Sequence, residues 1–343
     1  MRDTLIGMLG NTPKFPILPT PWGTQALVYA DVGARGGPPS NWLKLTKQTE
    51  YICFEPDPAE AASLRQFFDL HQDFKSLILT KALGSHEGTV NLNLTKFPPA
   101  SSILQPNHNL LRDFEIHPLF ELDLQVQAPI DTLDSQLHSI SRACDFLKVD
   151  VQGYELEVLQ GAMKTLQNTR GCELEVSFIE IYDDQPLFAE IDTFMRSRGF
   201  FLADLERVWW QHSDVPNCVK LRGSLAYGNA LYLPNDITKP TSREQLLKST
   251  IVCVAMGLNE LAYRCAKHGL AKKLISEQEM NIFEDWMAIF CERTIFWKRT
   301  GHILSRLPGR QTLSRWLGLL SRALQGPAPF GADSSSWLRR NSW

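Results

Sequence analysis

DFLKVDVQGYELEVLQGA, residues 145–162, opens as an apolar strand and closes as an amphipathic helix, with Lys148 and Asp150 set inside its apolar half. Isolated charges are almost never fully buried, because stripping water from them costs more than packing returns. A core strand carrying Lys148 and Asp150 at alternate positions therefore ends at something polar. The helical half places Leu156, Leu159, Met163 and Leu166 at one-face spacing, the pattern of a helix lying on a sheet. A short buried strand running straight into such a helix is one step of an α/β fold.

The neighbouring segments repeat that step. LVYAD (27–31), YICF (51–54), SLILTKAL (76–83), FLKVD, CELEVSFIEI (172–181) and FFLADLE (200–206) read as six successive strands, with ALYL (230–233) suited to a terminal hairpin. Asp57 and Pro58 supply an N-cap and a first helical residue for a helix through Leu70. GTVNLNL (88–94) and LDLQVQA (122–128) alternate apolar and polar residues, so they are expected to be half-exposed and antiparallel. The connection between them is long, and long loops in compact domains are usually functional or mobile. Past PNDITKPTS (234–242), Ser242 with Gln245 and Ser276 with Glu279 have capping-box spacing, and apolar stripes from Leu247 to Leu261 and from Ile282 to Phe290 predict helices.

Composition narrows the class. With 343 residues, 43% hydrophobic and 21% charged, the chain has room for a full α/β domain plus an appendage and resembles an ordinary globular protein. Seven widely spaced cysteines without a C-x-x-C pair predict neither a disulfide framework nor a zinc site and fit a reducing cytoplasm. No H-x-H or H-E-x-x-H pattern occurs, so no zinc is predicted. No run of 18 apolar residues occurs, and the apolar run before Pro13 is too short for a signal-peptide core. The net charge of −3 hides an asymmetry: from residue 296 onward eight Lys or Arg face Asp333 alone. An acidic body argues against nucleic-acid binding. In the tail, QTLSRWLGLLSRALQ (311–325) places Leu313, Trp316, Leu317, Leu320 and Leu324 on one face, which suits either peripheral contact with a membrane or packing on the body or another subunit.

Two elements carry ligand chemistry. YADVGARGG (29–37) is a strand, an acid and glycines at a tight turn, but its glycines do not fit G-x-G-x-x-G, which disfavours a dinucleotide. Taken alone, that turn serves packing as readily as binding. Glu55 ends the second strand, where nucleotide folds place a carboxylate against ribose hydroxyls.

In order and spacing, YADVGARGGPPS, ICFEPDPAEAASLRQF, ALGSHEGTV, PIDTLDSQL and DFLKVDVQGYELEVLQGA together resemble the FkbM-type methyltransferases, over residues 25 to 235. The resemblance implies a Rossmann-like class I methyltransferase fold with a seven-stranded sheet, S-adenosylmethionine as cofactor, and methyl transfer to a hydroxyl of a small-molecule or glycan acceptor. It divides the chain into a lead (1–24), a methyltransferase domain (25–236), a helical extension (237–299) and a basic amphipathic tail (300–343). Carried over by position, Asp31, Gly33, Arg35 and Gly36 would lie along the methionine part, Glu55 on the ribose, and Asp57, Ala82 and Leu83 near the adenine. Arg35 stands where the family often has Asn, and Gln152 where it often has Glu, which removes a charge beside the centre.

A hydroxyl is a weak nucleophile and needs a positioned base or a metal that lowers its pKa. Asp150 is the first candidate for base or metal ligand. Lys148 would pair with it or orient the acceptor, and Glu175 is a weaker candidate for the same work; a purely structural bridge from Lys148 to Asp150 or Glu175 carries equal weight. Ser101, Ser102, His108, Tyr182, Trp209, Trp210 and His212 are candidate acceptor contacts, although a Trp pair is more often core. The competing functions are a methyltransferase-fold binding module without activity and, less favoured, a dehydrogenase.

Overall fold

The computed structural model describes residues 18–39, 42, 49–71, 74–216, 223–288 and 331–332. Strands β1 (Leu27–Val32) and β2 (Thr49–Phe54) bury all but one residue each, as strands covered on both faces do. The chain leaves β2 through Asp57, whose side chain accepts from the Ala59 N–H, and enters α1 (Pro58–Leu70). That cap satisfies one of the amides a helix start leaves unpaired. Ala61, Leu64 and Phe68 form the buried face of α1, and the chain returns as β3 (Lys75–Leu79), parallel to β2.

The single strand expected over 76–83 is two. β3 stops at Leu79, and β4 (Ala82–Leu83) joins a separate sheet, paired in parallel with Ile130–Asp131 of β6 (Leu122–Asp131). β5 (Gly88–Thr95) runs antiparallel to β6, as the alternating patterns predicted. The long connection between them holds the short helix α2 (His108–Leu111) and two 3-10 turns.

After α3 (Leu133–Ser139), β7 (Phe146–Val149) runs through a tight turn into α4 (Glu155–Gln160), followed by β8 (Gly171–Ser177), α5 (Phe188–Ser197), β9 (Phe200–Trp210) and β10 (Ser224–Pro234). The main sheet has the order β9-β10-β8-β7-β1-β2-β3, with a two-residue strand β11 (Gly331–Ala332) added at the β9 edge. The five strands from β8 to β3 are parallel, and β10 is antiparallel to β8 and β9. This is the seven-stranded Rossmann-like sheet with its terminal hairpin. The fifth expected strand ends at Ser177 rather than 181, and the sixth extends to Trp210, which puts Trp209 and Trp210 inside the strand.

Alternation along the strands feeds two cores. Leu27 and Tyr29 of β1 face a cluster with Trp22, Leu64 and Phe68, which also takes in Ile251 of α6 (Arg243–Ala255), Ala262 of α7 (Asn259–Ala271) and Phe283. Ala30 and Val32 face a second cluster with Leu133 of α3, Leu159 of α4 and Ile191 of α5. Ser242 caps α6 by accepting from the Gln245 N–H, and Trp22 packs on Phe283 at 4.7 Å. Arg170 at the start of β8 reaches Ser249 and Asp236, both at 3.0 Å, which fastens α6 to the sheet. A third cluster, with Leu111, Phe114, Phe120, Tyr182 and Trp210, lies beyond the strand ends. No helix among the described residues is long and apolar enough to cross a membrane. The amphipathic stretch 311–325 lies outside the described residues.

Candidate active site

Strand order reverses between β1 and β7: β2 and β3 lie on one side, β8 and β10 on the other. Open α/β sheets bind ligands at the carboxyl edge of such a switch point. Parallel register sets Asp31 beside Lys148, and Lys148 beside Glu173, so the acids and the lysine share one face of adjoining strands. Lys148 Nζ is 3.4 Å from both Asp31 Oδ1 and Asp150 Oδ2. Burial works against the Lys148 charge, but the two carboxylates outweigh it and hold its pKa above the ordinary lysine value. Burial, partly offset by Lys148, pushes Asp31 up to about 6, and its Oδ2 is buried without a partner among the described residues. The two charges of the opening strand are therefore one ion-paired group shared with β1.

The turn after β7 completes the centre. Gln152 and Gly153 have φ of 56° and 100°, and Glu155 accepts from the N–H groups of Val151 (3.0 Å) and Gly153 (3.1 Å). Glu155 thus holds the turn, and burial raises it to about 7. Gln152 Nε2 lies 2.9 Å from Asp150 Oδ1 and 2.6 Å from Glu175 Oε2. Burial, then the charges of Asp150 and Glu155, push Glu175 well above the usual carboxylate range.

A cleft of about 440 Å³ opens at this edge, within the roughly 300–1,000 Å³ usual for small-molecule sites. One half is lined by Gly33, Arg35, Gly36, Glu55, Asp57, Ala82 and Leu83, and Asp150, Gln152 and Glu175 also line it. Asp31 and Lys148 stand behind them, outside the lining. Gly33, at φ 79°, has no room for a side chain: a Cβ there would lie 1.9 Å from the Asp150 carbonyl oxygen. Gly36, also at φ 79°, has open space where a Cβ would project. Glu55 is 5% exposed, and its Oε1 accepts from the Asp57 N–H at 2.9 Å. Burial, offset by that bond and by Arg35, raises Glu55 to about 7. Arg35 bridges Asp57 (3.1 Å) and Glu60 (3.3 Å), and Glu60 also accepts from the Gly36 N–H.

The other half is walled by Phe97, Pro98, Ala100, Ser101, Ser102, Phe120, Ile181, Tyr182, Trp210 and Tyr227. Of the seven residues proposed from sequence as acceptor contacts, Ser101, Ser102, Tyr182 and Trp210 line the cleft, whereas His108, Trp209 and His212 do not. His108 lies 3.4 Å from His117, and His212 lies 2.9 Å from the Ser224 hydroxyl. Sequence reasoning missed Phe97, Phe120 and Tyr227. Only the length of the connection after β5 hinted at the first two, and nothing local marked Tyr227. The Trp210 indole N–H is buried without a partner among the described residues. No cluster of three or more His, Cys, Asp or Glu suited to a metal ion occurs among the described residues.

The first half fits S-adenosylmethionine. It has an open glycine turn, an unpartnered Asp31 oxygen just behind that turn, a fixed acid at the end of β2 for hydroxyl groups, and an apolar shelf of Phe54, Ala82 and Leu83 for a flat ring.

Known proteins agree with this reading. A description of the FkbM methyltransferase domain matches residues 31–202. The 2-O-methyltransferase NoeI of Sinorhizobium fredii is 26% identical over 48% of this chain and 70% of its own length. Methyltransferase 1 of Beauveria bassiana is 28% identical over 49% of this chain and 69% of its own. The solved structure of magnesium protoporphyrin IX methyltransferase from Synechocystis aligns with 68% of this chain and 77% of its own, at 11% identity and a TM-score of 0.33. That overlay is loose, and the fold assignment rests on strand order instead. With half its length matched to the domain and the domain's sheet and glycine turn in place, the chain belongs to the FkbM methyltransferase family and is an S-adenosylmethionine-dependent methyltransferase.

Proposed function

We propose that this protein methylates a hydroxyl oxygen of a sugar-containing acceptor, in a polysaccharide, glycolipid or secondary metabolite. One observation carries the reading: a single cleft joins the cofactor half to an aromatic wall, and Asp150 lies where they meet. S-adenosylmethionine supplies an electrophilic methyl group when bound. Glu55 and the glycine turn hold the cofactor half; Tyr182, Tyr227 and Trp210 offer ring faces to a sugar, and the unpartnered Trp210 N–H offers a donor to one of its oxygens. Asp150 takes the hydroxyl proton, and Lys148, 3.4 Å away, holds the Asp150 side chain in place for that task. The name of the Sinorhizobium fredii relative, a 2-O-methyltransferase, supports oxygen as the atom modified.

Positioning alone can lower such a barrier by about 7–11 kcal/mol, and a base adds about 10²–10⁴ in rate. The test is calorimetry with S-adenosylhomocysteine and NAD, followed by methyl transfer to a panel of glycosides. Binding of the first ligand alone, with methylation of a glycoside hydroxyl, is expected. Failure to bind S-adenosylhomocysteine, or methylation confined to amines, overturns the reading.

A further inference from the structure

We infer that Gln152 is a positioning residue for methyl transfer: one amide fastens the Asp150 and Glu175 carboxyl groups to the loop that walls the acceptor half. The inference rests on Asp150 acting at the reacting hydroxyl, as proposed above. Both hydrogens of Gln152 Nε2 are spent, one on Asp150 and one on Glu175. Its Oε1 lies 3.1 Å from the Tyr182 hydroxyl, which also lies 2.9 Å from the Ala100 carbonyl oxygen. Its backbone carbonyl accepts from the Ser102 hydroxyl at 2.6 Å. Ala100 and Ser102 belong to the connection after β5, so that loop reaches Gln152 twice, directly at its backbone carbonyl and, by way of the Tyr182 hydroxyl, at its amide.

The amide's orientation follows from chemistry. Turned over, it would set an oxygen against the side-chain oxygens of Asp150 and Glu175 and forfeit both N–H contacts to them. The backbone agrees, because Gln152 occupies the left-handed region at φ 56°, which side-chain-bearing residues adopt only when their surroundings demand it. Here the demand is the Ser102 bond below and the amide contacts above.

A glutamate in this place has the same shape but no N–H to give. It would bring a third carboxyl group against Asp150 and Glu175, in a site where Lys148 is the neighbouring cation and Asp31, Glu155, Tyr182 and Tyr227 are the other titratable groups facing it. What the centre uses at this position is therefore a neutral double donor. The absence of charge at Gln152, which in the sequence looks like a loss, is how the carboxyl pair is held.

The test compares wild type with Gln152→Glu, Gln152→Leu and Tyr182→Phe in the full chain loaded with S-adenosylhomocysteine. Infrared difference spectra across a pH titration, from alkaline to acid, report the Glu175 carboxyl band, assigned by its loss in Glu175→Gln. Both Gln152 variants should bind S-adenosylhomocysteine within about threefold of wild type yet move the pH at which that band emerges, and Tyr182→Phe should move it the same way by less. On a glycoside that wild type methylates, kcat should fall about 10²-fold with little change in KM, as misplacement at the centre does. An unmoved band, or loss of S-adenosylhomocysteine binding in both Gln152 variants, overturns the inference. If the band moves while wild type methylates no hydroxyl, the positioning role stands and the acceptor assignment falls.

Discussion

The two halves of the cleft are built differently. The half we propose for the cofactor comes from strand ends and the turns that follow them: Gly33 and Gly36 after β1, Glu55 and Asp57 after β2, and Ala82–Leu83 in β4. The acceptor half is assembled from the connection after β5, the turn after β8, and two antiparallel strands. A ligand shared by a whole family can be held by short motifs whose geometry the sheet edge fixes. An acceptor particular to one member is met by loops and edge strands, where substitutions leave the sheet intact. Asp150 and Gln152 sit at the seam and answer to both.

Four substitutions sharpen that contrast. The largest effect is expected at the seam, where Asp150→Asn should cut turnover by about 10²–10⁴ while S-adenosylhomocysteine still binds in calorimetry; unchanged turnover would remove Asp150 as the base. Gly33→Ala comes next, because its Cβ would press on the Asp150 carbonyl oxygen at 1.9 Å with φ in the left-handed region. It should cost about 3 kcal/mol in urea unfolding, and full stability would show that the β1–β7 approach is looser than described.

Glu55→Gln should weaken cofactor binding by about 10–100-fold, the usual loss when a hydrogen bond to a charged group goes, and leave acceptor KM nearly unchanged. It also has a pH signature in the ligand-free protein. The Glu55 pKa is raised from 4.5 to about 7, so the folded state holds its proton more tightly than the unfolded chain does. The stability this provides is complete below about pH 4.5 and is lost as pH rises through 7. The Tm of Glu55→Gln relative to wild type should therefore climb between pH 5 and pH 8, and a flat difference would place Glu55 in a more polar setting. Smallest is Trp210→Ala, expected to raise acceptor KM by about tenfold, the worth of one aromatic contact, without touching cofactor affinity. An equal loss of both affinities would erase the distinction between the halves.

Legibility followed the same division. Asp57 and Pro58 announced α1 because a cap and a fixed φ act within a few residues, and the alternation over 88–94 and 122–128 announced an antiparallel pair for the same reason. The break at Leu79 was hidden: SLILTKAL is apolar enough for one strand, and only the pairing of Ala82–Leu83 with Ile130–Asp131 bends the chain into a second sheet. Trp210 and Tyr227 reach the cleft because β9 and β10 are long and antiparallel, with Tyr227 registered against Ser177 at the end of β8. Nothing near either residue in sequence records that neighbour. Gln152 was visible only as a departure from the family's habit, since three of its four partners, Ser102, Glu175 and Tyr182, lie far from it in sequence.

By itself the sequence determined the order of strands and helices, the glycine turn, the acid after β2 and the family, because each depends on spacing within a few residues or on motifs repeated in order. Tertiary structure alone decided that Lys148 bridges Asp31 and Asp150 and that the Gln152 amide meets Asp150, Glu175 and Tyr182. Charge balance in a buried site is settled by through-space neighbours, and the fold, rather than the order of residues, chooses those neighbours.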